Sequence, residues 1–382
     1  MNLEGNINKM YLLKAVKWFM IVMPILVLFF EKHGLSLTQI MILQATYSFT
    51  VAILEIPSGF IADIYGRRLS LFYGSILTFI GYLIFSFFSG FNEFFIAEIL
   101  LGIGGSLISG ADSALIYDTL LQLNKDEDYT KVEGKNYGIG NISEGIAGVI
   151  GGFLAITSLD LPVYIQTFVL FFSIPISYSL VEPESSYKLA KSIKSIWLVV
   201  KETFFEKNKL KWYIIYSSSM GIGTLSIAWF VQPFLIEIET PLFYYGIIWA
   251  GLNIITGITS YYSYLFKHKD LLIYISLIMV ISFILLGYNI SIYGLIFIVF
   301  IYLIRGIITP TLRNLININS SSERRATVLS LRSFIIRISF AMIAPILGYI
   351  TDYSDISFVF YSLAMIVGLS SILAVYKLKI NN

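Results

Sequence analysis

Apolar residues in this chain come in long blocks separated by short polar ones. Twelve blocks are long enough to cross about 30 Å of hydrocarbon as helices. They cover 11–30, 37–62, 70–89, 94–121, 137–157, 162–181, 212–236, 242–266, 271–288, 293–315, 327–350 and 358–376. Within a bilayer every backbone N–H and C=O needs a partner inside the protein, which a helix supplies for itself. The expected fold is an all-α integral membrane protein with twelve transmembrane helices.

The polar stretches alternate in charge. One set holds Arg67 and Arg68, then Lys125, Lys131 and Lys135, then Lys188, Lys191, Lys194, Lys201, Lys207, Lys209 and Lys211. Lys267 and Lys269, Arg324 and Arg325, and the tail residues Lys377 and Lys379 continue it. The other set has Lys32 as its one base, against Glu31, Glu93, Asp160, Glu237, Glu239, Asp352 and Asp355. Basic loops stay in the cytoplasm, so both termini are expected to be cytoplasmic in a multi-pass protein of the cell membrane.

The stretch 182–211 is charged, contains Pro183 and separates six blocks from six. It divides an N-terminal bundle, 1–181, from a C-terminal bundle, 212–382. Within it, 192–205 reads either as an amphipathic helix with Ile193, Ile196, Val200 and Phe204 on one side, or as a plain tether. A faint repeat at an offset of about 197 sets Lys14 on Lys211 and Gly148 on Pro345, in keeping with two pseudo-symmetric bundles.

Composition narrows the function. The chain is 57% hydrophobic and 13% charged, about half the charge of a soluble protein. It has no cysteine, which excludes disulfides and thiolate metal sites. His33 and His268 both fall in predicted loops, and a net charge of +2 gives no reason to expect nucleic acid. The opening MNLEGNINKM has no signal-peptide pattern, so the first helix is expected to be retained. No metal, cofactor or catalytic residue is expected.

The run from Glu55 to Leu71, E-I-P-S-G-F-I-A-D-I-Y-G-R-R-L-S-L, lies between the second and third blocks. Gly59 and Gly66 permit close approach and a tight turn. Asp63 ends a helix, and Arg67 and Arg68 anchor the loop on the cytoplasmic side. This G-x-x-A-D-x-x-G-R-R pattern resembles the signature loop of the major facilitator superfamily. The resemblance implies two six-helix bundles and a cytoplasmic gate in which Asp63 meets a helix N-terminus and Asp118 pairs with Arg67. In the fifth block, Gly134, Ser143, Ala147, Gly148, Gly151 and Gly152 follow the spacing of the family's exporter motif, with Gly148 in place of its proline. Ordinary small-residue packing is the other reading of that pattern.

Charges inside a bilayer are costly and mark candidate sites. Glu55, Glu98, Asp112, Glu144, Arg305 and Arg337 all fall within blocks, while Arg313 and Arg332 lie nearer the inner ends. Glu98 and Asp112 are fourteen residues apart, close to four helical turns, and are expected to face the same way. By the resemblance, the first, fourth, seventh and tenth helices line the cavity, which brings in Glu98, Asp112 and Arg305. The family's fourth-helix arginine is replaced here by Glu98. Asp112 is the first choice for a protonatable carboxylate, with Arg305 as its counter-charge; Glu55, Glu98 and Glu144 follow. Pairs such as Asp112–Arg305 or Glu144–Arg337 are alternatively structural. Lys14 and Lys17 are expected to begin the first helix and snorkel. Trp229, Phe230, Tyr244, Tyr245 and Trp249 form either a substrate-stacking set, with Trp229 and Trp249 toward the cavity, or an interfacial belt.

These features point to a secondary transporter resembling drug–proton antiporters, exporting an amphipathic small molecule. Proton-coupled uptake of a small organic solute or vitamin is the alternative, and a membrane-embedded transferase a remote one. No Walker-type phosphate loop is present, so ATP is not the direct energy source. The expected partners are a small-molecule substrate, protons and the lipid bilayer, with the chain a monomer. A cysteine introduced at Ser192 should not react with an impermeant thiol reagent applied to intact cells. Labelling from outside would invert the topology.

Overall fold

The computed structural model describes residues 3–183, 201, 203, 209–266, 271–320 and 325–380. These are helical, with no strand among the described residues. In chain order the helices are α1 (Glu4–Trp18), α2 (Leu26–Lys32), α3 (Leu37–Tyr65), α4 (Arg67–Phe87), α5 (Phe91–Ile108), α6 (Ala111–Gln122), α7 (Tyr129–Ala155), α8 (Leu161–Phe171) and α9 (Ser173–Tyr178). Then follow α10 (Lys209–Glu237), α11 (Phe243–Tyr261), α12 (Leu271–Tyr288), α13 (Leu295–Ile318), α14 (Arg325–Tyr353) and α15 (Ile356–Ile380). Eleven helical stretches among the described residues are long and apolar enough to cross a membrane. The expected eighth, α11, is helical but is not among them, because Asn253, Tyr244, Tyr245 and Tyr261 dilute its hydropathy. The amphipathic segment 192–205 lies outside the described residues apart from Lys201 and Thr203. Lys188, Lys191, Lys194, Lys207, Lys267, His268, Lys269 and Arg324 also lie outside them.

Three spans are broken, and each break has a local cause. The first runs from Glu4 rather than residue 11, because its first turns are anchored. The Asn6 amide donates to Thr119 Oγ1 (3.1 Å) and Val181 O (2.8 Å), and Asn6 Oδ1 accepts from Val181 N (3.0 Å). This span then breaks after Trp18 and resumes through a 3-10 turn at Met23–Ile25 that contains Pro24. Freed backbone needs a partner at membrane depth. The Ile21 N–H finds one in the buried Gln166 Oε1 at 2.7 Å. Gly151 leaves room for the Ile21 carbonyl, which any Cβ there would overlap. The fourth span breaks between α5 and α6 at Gly110, whose φ of +82° lies in the left-handed region. The sixth is divided into α8 and α9.

The chain forms two compact units. The first comprises Met1–Leu35, Thr46–Ala190 and Pro241–Ala250. In it α4 and α5 pack through facing glycines: a Cβ on Gly74 would lie 2.9 Å from Gly104 O, and one on Gly104 would lie 2.8 Å from Gly74 O. Gly102 meets Thr50 of α3 in the same way. Pro241–Ala250 joins this unit because Gly246 lies against Gly148 and Gly152 of α7. Close packing thus accounts for Gly148, Gly151 and Gly152 of the exporter-like pattern, but not for Gly134, where a Cβ meets nothing within 4 Å.

The second unit comprises Ser36–Ala45, Lys191–Thr240 and Gly251–Asn382. Polar side chains on α10 join its neighbours. Ser218 Oγ donates to Ser339 Oγ of α14 (2.8 Å), Ser219 Oγ to Val367 O of α15 (3.1 Å), and Tyr216 OH to Leu272 O of α12 (2.8 Å). Asp352, near the end of α14, accepts from Leu37 N and Thr38 N (both 2.9 Å) and from Thr38 Oγ1 (2.5 Å). A carboxylate at the start of α3 is thereby held on its orphan N–H groups, and Ser36–Ala45 is tied into this unit.

Gly74→Val should lower the thermal stability of the first unit, since its Cβ would also lie 2.6 Å from Ile108 Cγ1. Overpacking of this kind costs about 1–3 kcal/mol. Gly134→Ala meets nothing within 4 Å and serves as the control. Equal melting temperatures for the two variants in detergent would contradict this account of helix packing.

Candidate functional site

In the first unit, α1, α4, α5, α6 and α7 enclose a cavity of about 50 Å³. Its polar lining is Lys14, Lys17, Asp112 and Asn136, its apolar lining Met10, Leu13, Leu71 and Ile108, with Trp18 at one side. Lys14 Nζ lies 3.8 Å from Asp112 Oδ2 and 4.6 Å from the centre of the Trp18 ring. Gly140, one turn along α7 from Asn136, makes the space for these groups: a Cβ there would lie 3.2 Å from both Lys14 Cε and the Trp18 ring. Lys17 makes no hydrogen bond or salt bridge among the described residues. Asn136 is 1% exposed, and its Oδ1 has no donor. The lining carries two lysine side chains against one carboxylate.

The break at Gly110 puts Asp112 here. It sits in the first turn of α6, where its Oδ1 accepts from Ser113 N at 2.8 Å and its charge complements the helix dipole. Ser113 Oγ donates in turn to Glu133 Oε1 of α7 at 2.6 Å. Two expectations change, and Asp112 gains a neighbour. Glu98 and Asp112 do not share the face of one helix, because the left-handed residue between them resets the helical phase. Asp112 meets Lys14 within its own unit, while Arg305 belongs to the second unit, where its guanidinium lies over the Tyr302 ring at 5.6 Å. Lys14 and Lys17 do not stand at a helix start: α1 begins at Glu4, which places Lys14 in its interior and Lys17 in its last turn.

The remaining charged candidates are dispersed. Glu98 is 3% exposed in α5, the only acidic or basic side chain so deeply buried among the described residues. Glu55 of α3 and Glu144 of α7 are half-buried, as are Arg305 of α13 and Arg337 of α14. The aromatic set divides between the units. Trp249 belongs to the first and lies against Gly148, while Trp229 and the fully buried Phe230 belong to the second.

The loop around Gly66 is built on carboxylates. Gly66 precedes α4 with φ +104°, and a Cβ there would lie 2.9 Å from the Glu182 carboxylate. That carboxylate accepts from Arg67 N and Arg68 N, 2.7 Å each, capping α4. The Arg67 guanidinium pairs with Asp118 and donates to Ala114 O at 2.6 Å. Arg68 Nη2 donates to Tyr178 O at 2.8 Å. Asp63 is exposed and makes no hydrogen bond among the described residues. Gly59 stands in open space: a Cβ there meets nothing within 4 Å, so the close approach expected at that glycine is absent from the described structure.

Sequence reasoning passed over Lys14, Lys17, Trp18, Asn136, Glu133 and Glu182 as site residues. Lys14 and Lys17, three apart on a helix, share a face, and that spacing was the available signal. Asn136 and Glu182 offered none, since their importance rests on what folds against them.

The sequence profile of the Major Facilitator Superfamily matches residues 11–318. Among solved structures, a point mutant of the nucleoside transporter NupG is similar at TM-score 0.82, covering 98% of this chain and 100% of that one at 12% identity. The D-xylose–proton symporter is similar at TM-score 0.76, with 97% and 96% covered at 12% identity. The POT family transporter PepTSo is similar at 0.77, with 98% of each chain covered at 11% identity. At such identities the likeness concerns the fold. No curated protein is similar enough in sequence to count as a relative.

Proposed function

The chain belongs to the major facilitator superfamily and is a transporter, not an enzyme, and from that premise we propose that it couples solute movement to protons through Asp112 and Lys14. The 3.8 Å pair inside the cavity is the observation that carries this reading. An ionised Asp112 holds Lys14. When Asp112 takes a proton, Lys14 is released and the lining gains a positive charge. A proton then favours, rather than competes with, a solute attracted by positive charge, so solute and proton move together. Under an inward proton gradient that is uptake. Export of an amphipathic compound rests on the aromatic content and the fifth-span motif, of which Gly148, Gly151 and Gly152 already have packing partners in Trp249, Ile21 and Gly246.

In this reading both termini are cytoplasmic in the cell membrane, and the protein acts as a monomer. The loop after α3 forms the cytoplasmic gate. Arg67 pairs with Asp118 and also feels the charge of the exposed Asp63, which gathers the gate residues at one place. Arg305, Trp229 and Trp249 remain candidate contacts for the rest of the solute.

Asp112→Asn should leave a transporter that still exchanges solute across a proteoliposome membrane but does not accumulate it under an imposed pH gradient. Exchange survives because it requires no net proton movement. Full proton-driven accumulation by this variant would transfer the coupling role to another acid, first Glu98, then Glu55 or Glu144.

A further inference from the structure

We propose that His33 is a pH-operated tie at the end of the first span, closing on Asp160 when its ring takes a second proton. The site lies apart from the cavity beside α1. The first span ends at His33, and Gly34 follows with φ +80°, the left-handed residue that turns the chain back over the last carbonyls of α2. The imidazole folds onto its own helix. Its ring centre lies 4.5 Å from that of Phe29 and 5.7 Å from that of Phe94 on α5. Nδ1 lies 2.8 Å from Phe29 O. A carbonyl oxygen only accepts, so Nδ1 carries the proton of the neutral ring and Nε2 keeps its lone pair.

That Nε2 lies 3.8 Å from Asp160 Oδ1, and the two side chains are 20% and 25% exposed. Oδ1 itself is enclosed and has no hydrogen-bond donor. The other oxygen, Oδ2, is taken by Lys32 and by Ser158 Oγ at 3.4 Å. A neutral His33 therefore sets a lone pair against a carboxylate oxygen. A protonated one sets an N–H there, supplying the missing donor and the opposite charge. Other charges on the packed elements are turned elsewhere: Glu31 of α2 acts on Tyr245, and Glu93 of α5 reaches toward Gly90. Imidazoles change charge between about pH 5 and 8. Below that window the tie joins the end of the first span to the turn before α8, and above it the tie is released. In the topology proposed above this is the outer face. The tie itself does not depend on that topology, and neither does its test in detergent.

His33 is one of two histidines in the chain, so its ring can be followed by NMR with isotope-labelled histidine once His268→Gln removes the other signal. The full-length protein should show the Nδ1–H form at about pH 9 and both nitrogens protonated at about pH 5. A neutral ring protonated at Nε2 instead would overturn the proposal without any change at the site. Melting temperatures of the wild type, His33→Gln, Asp160→Asn and the double variant give the second test. At about pH 5 the two single effects should be non-additive by roughly 1–2 °C, and at about pH 9 they should add. Additive effects at both pH values, or equal coupling at both, overturn it.

Discussion

A charge enclosed by hydrocarbon must be answered from within the protein, and three charges close together on α1 and α6 are answered incompletely. Lys14 lies 3.8 Å from Asp112, and Lys17 shares the influence of the same carboxylate. The surrounding structure is arranged to make that grouping possible. Asn6 anchors α1 early enough to carry both lysines into the bundle. Gly110 turns the chain so that Asp112 enters at a helix N-terminus. Gly140 clears the space on α7 that Lys14 and Trp18 fill. None of these devices is needed for a helix merely to cross a bilayer, and together they hold a reactive electrostatic imbalance in one place.

The same physics recurs wherever the chain leaves regular helix. Glu182 closes the N-terminus of α4, and Asp352 that of α3, each through two backbone N–H groups. Gln166 holds the one backbone N–H that the break in the first span exposes to it. Such ties are made of few hydrogen bonds, and those of Glu182 and Asp352 are charge-dependent, which suits elements that must be released and remade as a transporter cycles. Facing glycines along α4 and α5 do the opposite: they lock helices by contact that leaves no room for adjustment.

Much of this was legible in the sequence. Hydrophobic blocks located the spans, closely in 271–288, which matches Leu271–Tyr288, and less so at the starts of the first and fifth, which begin at Glu4 and Tyr129 rather than at 11 and 137. The loop from Glu55 to Leu71 carried the family, and the pairing of Arg67 with Asp118 followed from that resemblance. What failed did so for one reason. Periodicity assumes a continuous helix, and Gly110 ends that assumption between Glu98 and Asp112. Likewise the start of α1 depends on Val181 and Thr119, more than a hundred residues away, so Lys14 and Lys17 looked like a helix start that in fact lies at Glu4. Partners distant along the chain leave no mark on local pattern, which is why Lys14 was not read as a neighbour of Asp112.

The central claim is that Asp112, held by Lys14, is the group that takes up and gives back the proton. Infrared difference spectroscopy of the protein reconstituted in lipid tests it without a known substrate. As the pH is stepped down, the carbonyl band of a protonated carboxylic acid should grow, and the part due to Asp112 should vanish in Asp112→Asn. A band of unchanged size in that variant would contradict the account.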